Sequence, residues 1–229
     1  MQDLLAVLDG HVLILTFNRT QKHNAFDDVF LSKLQTELDA AEKNPAIRVI
    51  MLRANGRHFS AGADLNWMQR MADFSEEENI TDAKALARLL STLHHATKPT
   101  IAAVQGAAFG GGAGLVAACD IAIAADTAQF CFSEVKLGLI PAVISPYVVR
   151  ATGERVASWL FMSAEKIDAR AALTHGLIHQ IISEEGLPSY AHQYARGLAA
   201  LALDAVQASK QLVKAVEHQP IDDTLQNMT

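Results

Sequence analysis

Arg57-His58-Phe59-Ser60-Ala61-Gly62-Ala63-Asp64 and Gly106-Ala107-Ala108-Phe109-Gly110-Gly111-Gly112-Ala113-Gly114 are the two stretches on which the reading of this chain turns. Each follows an apolar, β-compatible run and opens a helical pattern, so each sets a glycine-bearing turn at a helix N-terminus. There the first N–H groups have no partner inside the helix, and the partial positive charge favours an anionic oxygen. Two such amides aimed at one point form an oxyanion hole. Neither stretch offers a lysine to hold phosphates, and neither places a serine in a nucleophile elbow. The chemistry suggested is stabilisation of an enolate.

The rest of the chain gives these turns a frame. Leu4–Leu8 and Val12–Phe17 are apolar runs joined by Asp9-Gly10, a hairpin signal. Phe30, Leu31, Leu34, Leu38 and Ala41 recur at helical spacing until Asn44-Pro45, and Ile47–Leu52 reads as a buried strand. After the Asn55-Gly56 turn and the first glycine stretch, Asp64–Met68 starts a short helix that polar Ser75–Asn79 interrupts. Ala85, Leu86, Leu89, Leu90 and Leu93 mark a second amphipathic helix, which stops before Lys98-Pro99. Thr100–Val104 and Ile121–Ala125 are buried strands on either side of a compact helix at Gly112–Cys119, and Gln129–Phe132 is one more short strand before Ser133-Glu134. Beyond Pro146 the pattern is mainly helical, with breaks near Gly153, Ser163 and Gly176, a strand at Leu177–Ile182, and long helices from Leu187. Strands alternate with helices first and helices accumulate last, which predicts an α/β core with a helical C-terminal region in the same domain.

Composition excludes several classes. A chain of 229 residues buries a substantial core without disulfides. Its net charge of −6 and the absence of a block of Lys and Arg argue against a nucleic-acid partner. No apolar run approaches the roughly 18 residues of a membrane span, and the N-terminus lacks a signal-peptide pattern. Cys119 and Cys131 lie in apolar stretches without CxxC spacing, which suits core residues of a reduced, cytoplasmic protein. No histidine falls in an HExxH or similar arrangement, so no metal site is expected. His94 and His95 are adjacent on a helical run and point in different directions.

Among ionisable residues, Glu134 stands out because Val135, Leu137, Gly138, Leu139 and Ile140 follow it. Apolar surroundings favour the neutral carboxyl and suit it to proton exchange near neutral pH, whereas the bland alternative is a surface glutamate at a strand end. Asp64, directly after Ala63, reads as a helix cap rather than a catalytic acid. Asp120 and Asp126 read as local turn or cap residues. A dinucleotide-binding unit is the rival interpretation of the second stretch, but Gly106, Gly110, Gly111, Gly112 and Gly114 do not make G-x-G-x-x-G.

Five segments together resemble the crotonase (enoyl-CoA hydratase/isomerase) superfamily. They are Asn18-Arg19 with Asn24-Ala25-Phe26, Phe59–Leu65, Gly106–Gly112, Cys119–Ala124 and Phe132–Pro141. The resemblance implies a crotonase-like spiral of ββα units over 1–182 and a C-terminal helical region over 183–229, shorter than in family members, which continue through another helical stretch. It also implies an acyl-CoA thioester substrate, with coenzyme A entering as part of that substrate and no separate cofactor, and a homotrimer or a dimer of trimers. Carried over residue by residue, the N–H groups of Ala63 and Gly111 would hold the thioester oxygen and Glu134 would move the proton. Ala61, Gly62, Asp64, Leu65, Gly110 and Gly114, with Lys22 and Ala25, would line the substrate.

One departure matters. Family hydratases usually carry a second glutamate just after the glycine run, where this chain has Gly114. One base suffices for double-bond isomerisation, whereas hydration would require Glu134 to handle both water and the Cα proton. Ser133–Pro146 is similar to bacterial methylglutaconyl-CoA hydratases, which favours hydration of a short, branched or carboxylated 2-enoyl-CoA. Lys136, Tyr147 or Arg150 would then meet the second carboxylate. An enoyl-CoA isomerase is the close alternative, and a non-catalytic acyl-CoA-binding protein is the alternative of another class.

Overall fold

In the computed structural model the described residues are 2–72 and 74–216. Residues 217–229 of the expected C-terminal helical region lie outside them. The chain opens with the hairpin β1 (Leu4–Asp9) and β2 (Val12–Phe17), then runs α1 (Asp28–Lys43), β3 (Val49–Ala54), α2 (Leu65–Ala72), α3 (Glu76–His95), β4 (Thr100–Val104), β5 (Ala107–Phe109), α4 (Gly111–Ala118), β6 (Ile121–Ala125) and β7 (Gln129–Cys131). A 3-10 turn at Glu134–Leu137 follows, then α5 (Ser145–Thr152), α6 (Glu154–Ser163), β8 (Ile167–Asp168), α7 (Ala169–Thr174), β9 (Gln180–Ile182), α8 (Leu187–Ala199) and α9 (Leu203–Val216).

Two sheets organise these elements. The larger has the order β1-β2-β3-β4-β6-β9, parallel from β2 onward, and the smaller has the order β5-β7-β8. Each turn of the chain lays one strand in the large sheet and the next in the small one before a helix returns: β4-β5-α4, then β6-β7 and α5. This is the mixed α/β spiral of ββα units. In the turn that follows β3 the second strand shrinks to single bridges, Ser60↔Ala108 and Phe26↔Ala63, both parallel.

The apolar runs of the sequence follow from this layering, because strands covered on both faces carry no polar alternation. One set of side chains in the large sheet, including Val12, Ile14, Val49, Met51, Ile101, Ala103 and Ile123, packs against Leu187, Ala191, Ala195 and Ala199 of α8. Those four stand at every fourth position, so one stripe of the helix rests on the sheet with small side chains. The alternate set, among them Leu15, Phe17, Ile50, Leu52, Ala102 and Val104, turns inward to Phe26, Phe30, Phe59 and Phe130. Both thiols are free, and burial pushes each above its ordinary pKa.

Several sequence expectations are corrected. Ser75–Asn79 does not interrupt a helix but starts one: Ser75 is the N-cap of α3, and Ser75 and Glu78 bond reciprocally in a capping box. Polar residues at a helix start resemble a loop in composition. The expected strand at Ile47–Leu52 begins at Val49, because the Arg48 and Val49 amides both bond back to His11 O. Leu177 and Ile178 are buried but bond back to Ala172 O, so only Gln180–Ile182 joins the sheet. The compact helix starts one residue earlier, at Gly111, and β7 ends at Cys131. β5 and β8, of three and two residues, carry too little pattern to announce themselves.

Lys98 closes the C-terminus of α1. Its buried ammonium donates to Ala41 O and, at 2.5 Å, to Asn44 O, adding a charged donor to carbonyls that also accept Asn44 N and Ile47 N at the negative end of the helix. Lys98→Met should lower the unfolding free energy by about 1–3 kcal/mol, measured by urea denaturation, because two carbonyls lose a charged donor.

Candidate active site

Parallel pairing in the small sheet delivers three segments to one edge. Ser60 pairs with Ala108, and Phe109 pairs with Cys131, so the residues that follow each emerge side by side at the carboxyl ends of their strands. This is where open parallel sheets bind ligands. From the first come Ala61, Gly62 and Ala63; from the second, Gly110 and Gly111 at the start of α4; from the third, Glu134.

Hydrogen bonds fix the direction of the first segment. Ser60 N donates to Ala107 O, and Phe109 N donates to Ser60 O. On the opposite side, Ala61 N donates to His23 O, Phe26 N to Gly62 O and Asp64 N to Phe26 O. Because Ala63 is the bridged partner of Phe26, its own N–H points away from Phe26, toward the side of β5 and α4. Ala63 N and Gly111 N, the first amide of α4, have no acceptor among the described residues.

Glycine is required where these segments touch. Gly62 has φ +93°, and a Cβ there would lie 2.9 Å from Phe109 O. A Cβ on Gly111 would lie 2.5 Å from Phe26 Cζ. The two stretches singled out in the sequence are therefore in backbone contact.

Glu134 completes the edge. Gly110 N donates to Cys131 O at 2.8 Å, and a Cβ on Gly110 would lie 3.2 Å from Glu134 Oε1. The other carboxyl oxygen, Oε2, is buried with no hydrogen-bond partner among the described residues. Burial pushes this carboxyl above its ordinary value of 4.5, opposed only by its own backbone N–H. The result is an acid next to a helix start, with one oxygen enclosed by the protein and given no hydrogen-bond partner among the described residues.

Gly114 lies one turn further along α4, its N–H bonded to Gly110 O. It is buried beneath Ile144: a Cβ on Gly114 would lie 2.3 Å from Ile144 Cγ2. The space that a side chain at 114 would take is thus filled by Ile144, a contact that sequence reasoning missed. An isoleucine just ahead of a helix looks like any core residue.

A charge network holds the loop before α1 against the first segment. Asn24, buried, accepts from Arg19 N and donates to Asn55 O and His58 O. Arg19 lies 2.7 Å from Asp27 and 3.7 Å from Asp64, and Lys22 Nζ lies 2.6 Å from Asp64. Asp64 caps α2 by accepting from Asn66 N and Trp67 N. Ala25 is buried in this loop, whereas Ala61 and Leu65 are exposed, Leu65 by 72%.

Burial pushes the Asp64 carboxyl up, but the bonds from Lys22, Trp67 N and Asn66 N and the charge of Lys22 outweigh it and hold the group below its ordinary 3.8. A depressed native pKa stabilises above the unfolded value and is lost as pH falls through the native one. Asp64→Asn keeps the cap but removes the charge, and should cost about 1.5–3 kcal/mol near neutral pH. That difference should shrink as pH drops below 3.8, which urea titrations at several pH values would check.

The three side chains considered for a second carboxylate separate. Lys136 Nζ is engaged with Ala164 O at 2.6 Å. Tyr147 and Arg150, one turn apart on α5, line a cavity of about 520 Å³ between α5 and α9 together with His94, Lys210 and Lys214. Arg150 Nη1 lies 2.6 Å from His94 Nε2. Burial, then the charges of Lys214 and Arg150, lowers the His94 pKa to about 4, so near neutral pH the ring is an uncharged acceptor. A second cavity, about 480 Å³, opens beside Ala61 and is lined by His23, Arg57, His58, Phe109 and Lys166. Lys166 Nζ stands 5.3 Å from the Phe109 ring centroid, a contact that nothing in the sequence announced. No group of metal ligands occurs among the described residues.

A ββα spiral with two glycine turns and a half-buried carboxyl at the carboxyl edge of its small sheet marks the crotonase class of proteins. The enoyl-CoA hydratase/isomerase family profile matches residues 8–228, and the chain belongs to that family of enzymes. It is 35% identical over 93% of its length to the Escherichia coli 2,3-dehydroadipyl-CoA hydratase, covering 82% of that protein. It is 32% identical over 98% of its length to the Escherichia coli 1,2-epoxyphenylacetyl-CoA isomerase, covering 87% of it. A crotonase-class crystal structure from Legionella pneumophila superposes with a TM-score of 0.96 at 54% identity, over 98% of this chain and 87% of that one.

Proposed function

We propose that this protein hydrates a short 2-enoyl-CoA, with the N–H groups of Ala63 and Gly111 holding the thioester oxygen and Glu134 as the sole acid–base. The observation that carries the reading is the Glu134 carboxyl, packed on Gly110 at the start of α4 with Oε2 buried and unpartnered. The thioester carbonyl accepts from the two amides, and Glu134, as carboxylate, takes a proton from water. The water oxygen bonds to Cβ, the π electrons move toward the thioester, and the oxygen held by the amides becomes the enolate oxygen. Glu134, now protonated, returns its proton to Cα as the carbonyl re-forms. Atoms and charge balance with no further cofactor.

Ala61, Gly62, Asp64, Leu65, Lys22 and Ala25 are proposed to line the substrate, with the coenzyme A portion lying across them. A branched or carboxylated acyl group of methylglutaconyl type draws support from the dicarboxylic acyl group in the name of one relative; Tyr147 and Arg150 line a cavity that includes none of Ala63, Gly111 and Glu134. Assembly into a trimer draws support from exposed Leu137, Leu139, Ile140 and Met162. No helix among the described residues is long and apolar enough to cross a membrane.

Isomerisation is the second reading. It is favoured by the burial of Gly114 under Ile144, which leaves one acid where two would divide the work of hydration. Incubation with crotonyl-CoA, 3-methylglutaconyl-CoA and a 3-enoyl-CoA in deuterated water separates the two. Hydration should add one water and one Cα deuterium to a 2-enoyl ester; reaction of the 3-enoyl ester alone would replace the hydratase reading with the isomerase one.

A further inference from the structure

Gly110 and Gly114 are successive turns of one helix, and each is backed by a different side chain. The first faces the Glu134 carboxyl, with Oε1 3.2 Å from where its Cβ would be. The second faces Ile144, whose Cγ2 and Cβ lie 2.3 and 2.9 Å from the corresponding point. Ile144 is itself 2% exposed and sits at the mouth of α5, its carbonyl accepting from Tyr147 N and Val148 N. Its position is thus set by the backbone of α5 and by the lack of any side chain on Gly114.

We infer that Ile144 is the specificity-determining residue of the site, closing the second turn of α4 to the acyl chain and thereby limiting the substrate to a short acyl group. The inference rests on the proposed placement of the thioester oxygen at Gly111. With the carbonyl held at the first residue of α4 and Glu134 beside the reacting carbons, an acyl chain that continues along the helix meets Gly114 next. A glycine there would ordinarily open a channel, but Ile144 fills it.

The test compares wild type with Ile144→Ala and Ile144→Leu across straight-chain 2-enoyl-CoA esters of four to ten carbons. It records kcat/KM and, in parallel, the Kd of the saturated acyl-CoA of each length. Burying one methylene in a newly opened channel is worth about fourfold in affinity. Ile144→Ala should therefore raise the ratio of long-chain to short-chain binding by about fourfold for each methylene admitted. Ile144→Leu, which keeps the side-chain volume but removes the Cγ2 that faces Gly114, preserves the fold if Ile144→Ala does not and should shift the ratio in the same direction by less. An unchanged chain-length profile in a folded variant overturns the inference. Failure of wild type to turn over any ester overturns the proposed activity instead, and the Kd series still decides the role of Ile144.

Discussion

Glu134→Gln is expected to lower kcat by about 10² to 10⁴, the range lost when a positioned acid–base is removed, while the Kd for a saturated acyl-CoA stays near that of wild type. The substitution keeps the shape of the side chain beside Gly110 and removes only its ability to exchange a proton. The same change should stabilise the fold. Burial raises the native carboxyl above 4.5, so the native state binds the proton more tightly than the unfolded chain. Stability of wild type then falls as pH rises from the unfolded value to the native one and levels off above it. Glutamine carries no such dependence, so the Tm advantage of the variant should grow over that interval and then hold constant. In wild type, kcat/KM should rise along an acid limb whose midpoint lies above 4.5, because the carboxylate form takes the proton from water. Turnover close to wild type in the variant would remove Glu134 from the chemistry, and a wild type that binds esters without turning them over would return the protein to the binding class.

Gly62→Ala should damage both rate and stability. At φ +93° any L side chain is strained, and the new Cβ would meet Phe109 O at 2.9 Å, a backbone atom that cannot rotate away. Strain and overpacking of this kind cost about 1–3 kcal/mol each. Relief requires the Gly62-Ala63 segment to move off Phe109-Gly110, which separates the two amides proposed to share the thioester oxygen. Loss of one oxyanion donor lowers kcat by about 10² to 10³. Thermal melting and steady-state kinetics on the same preparation would record both. A control at Gly197, where a Cβ meets nothing within 4 Å, should leave kcat unchanged. A Gly62→Ala protein with wild-type kcat would mean that the contact between the two glycine stretches is not part of the active geometry.

The sequence exposed those features that rest on local repetition or on bare backbone. Thr100–Val104 and Ile121–Ala125 emerge with the predicted ends, since each is an uninterrupted apolar run flanked by Pro99 or Asp120. The long helices show their apolar spacing. Short strands do not: β5 and β8 exist because neighbours 22 to 39 residues away pair with them, and three or two residues cannot display a period. The turn residues Gly62, Gly110 and Gly111 were visible because only glycine tolerates the close approach. Ile144 was not, since its meaning lies in the missing side chain of a residue thirty positions earlier, and no local pattern links the two. The Arg19, Lys22, Asp27 and Asp64 network was equally hidden, because pairing across the loops is decided by tertiary proximity.

The bridges Ser60↔Ala108 and Phe26↔Ala63 have a consequence for inheritance. Every amino acid except proline supplies the same amide, so the proposed donor at Ala63, anchored by ladder pairing, persists through almost any coding change there. The side chain at position 134 enjoys no such protection, and positions 114 and 144 must change together, because a Cβ on Gly114 would lie 2.3 Å from Ile144 Cγ2. A lineage built this way conserves its grip on a carbonyl while remaining free to revise what is done to the carbon beside it.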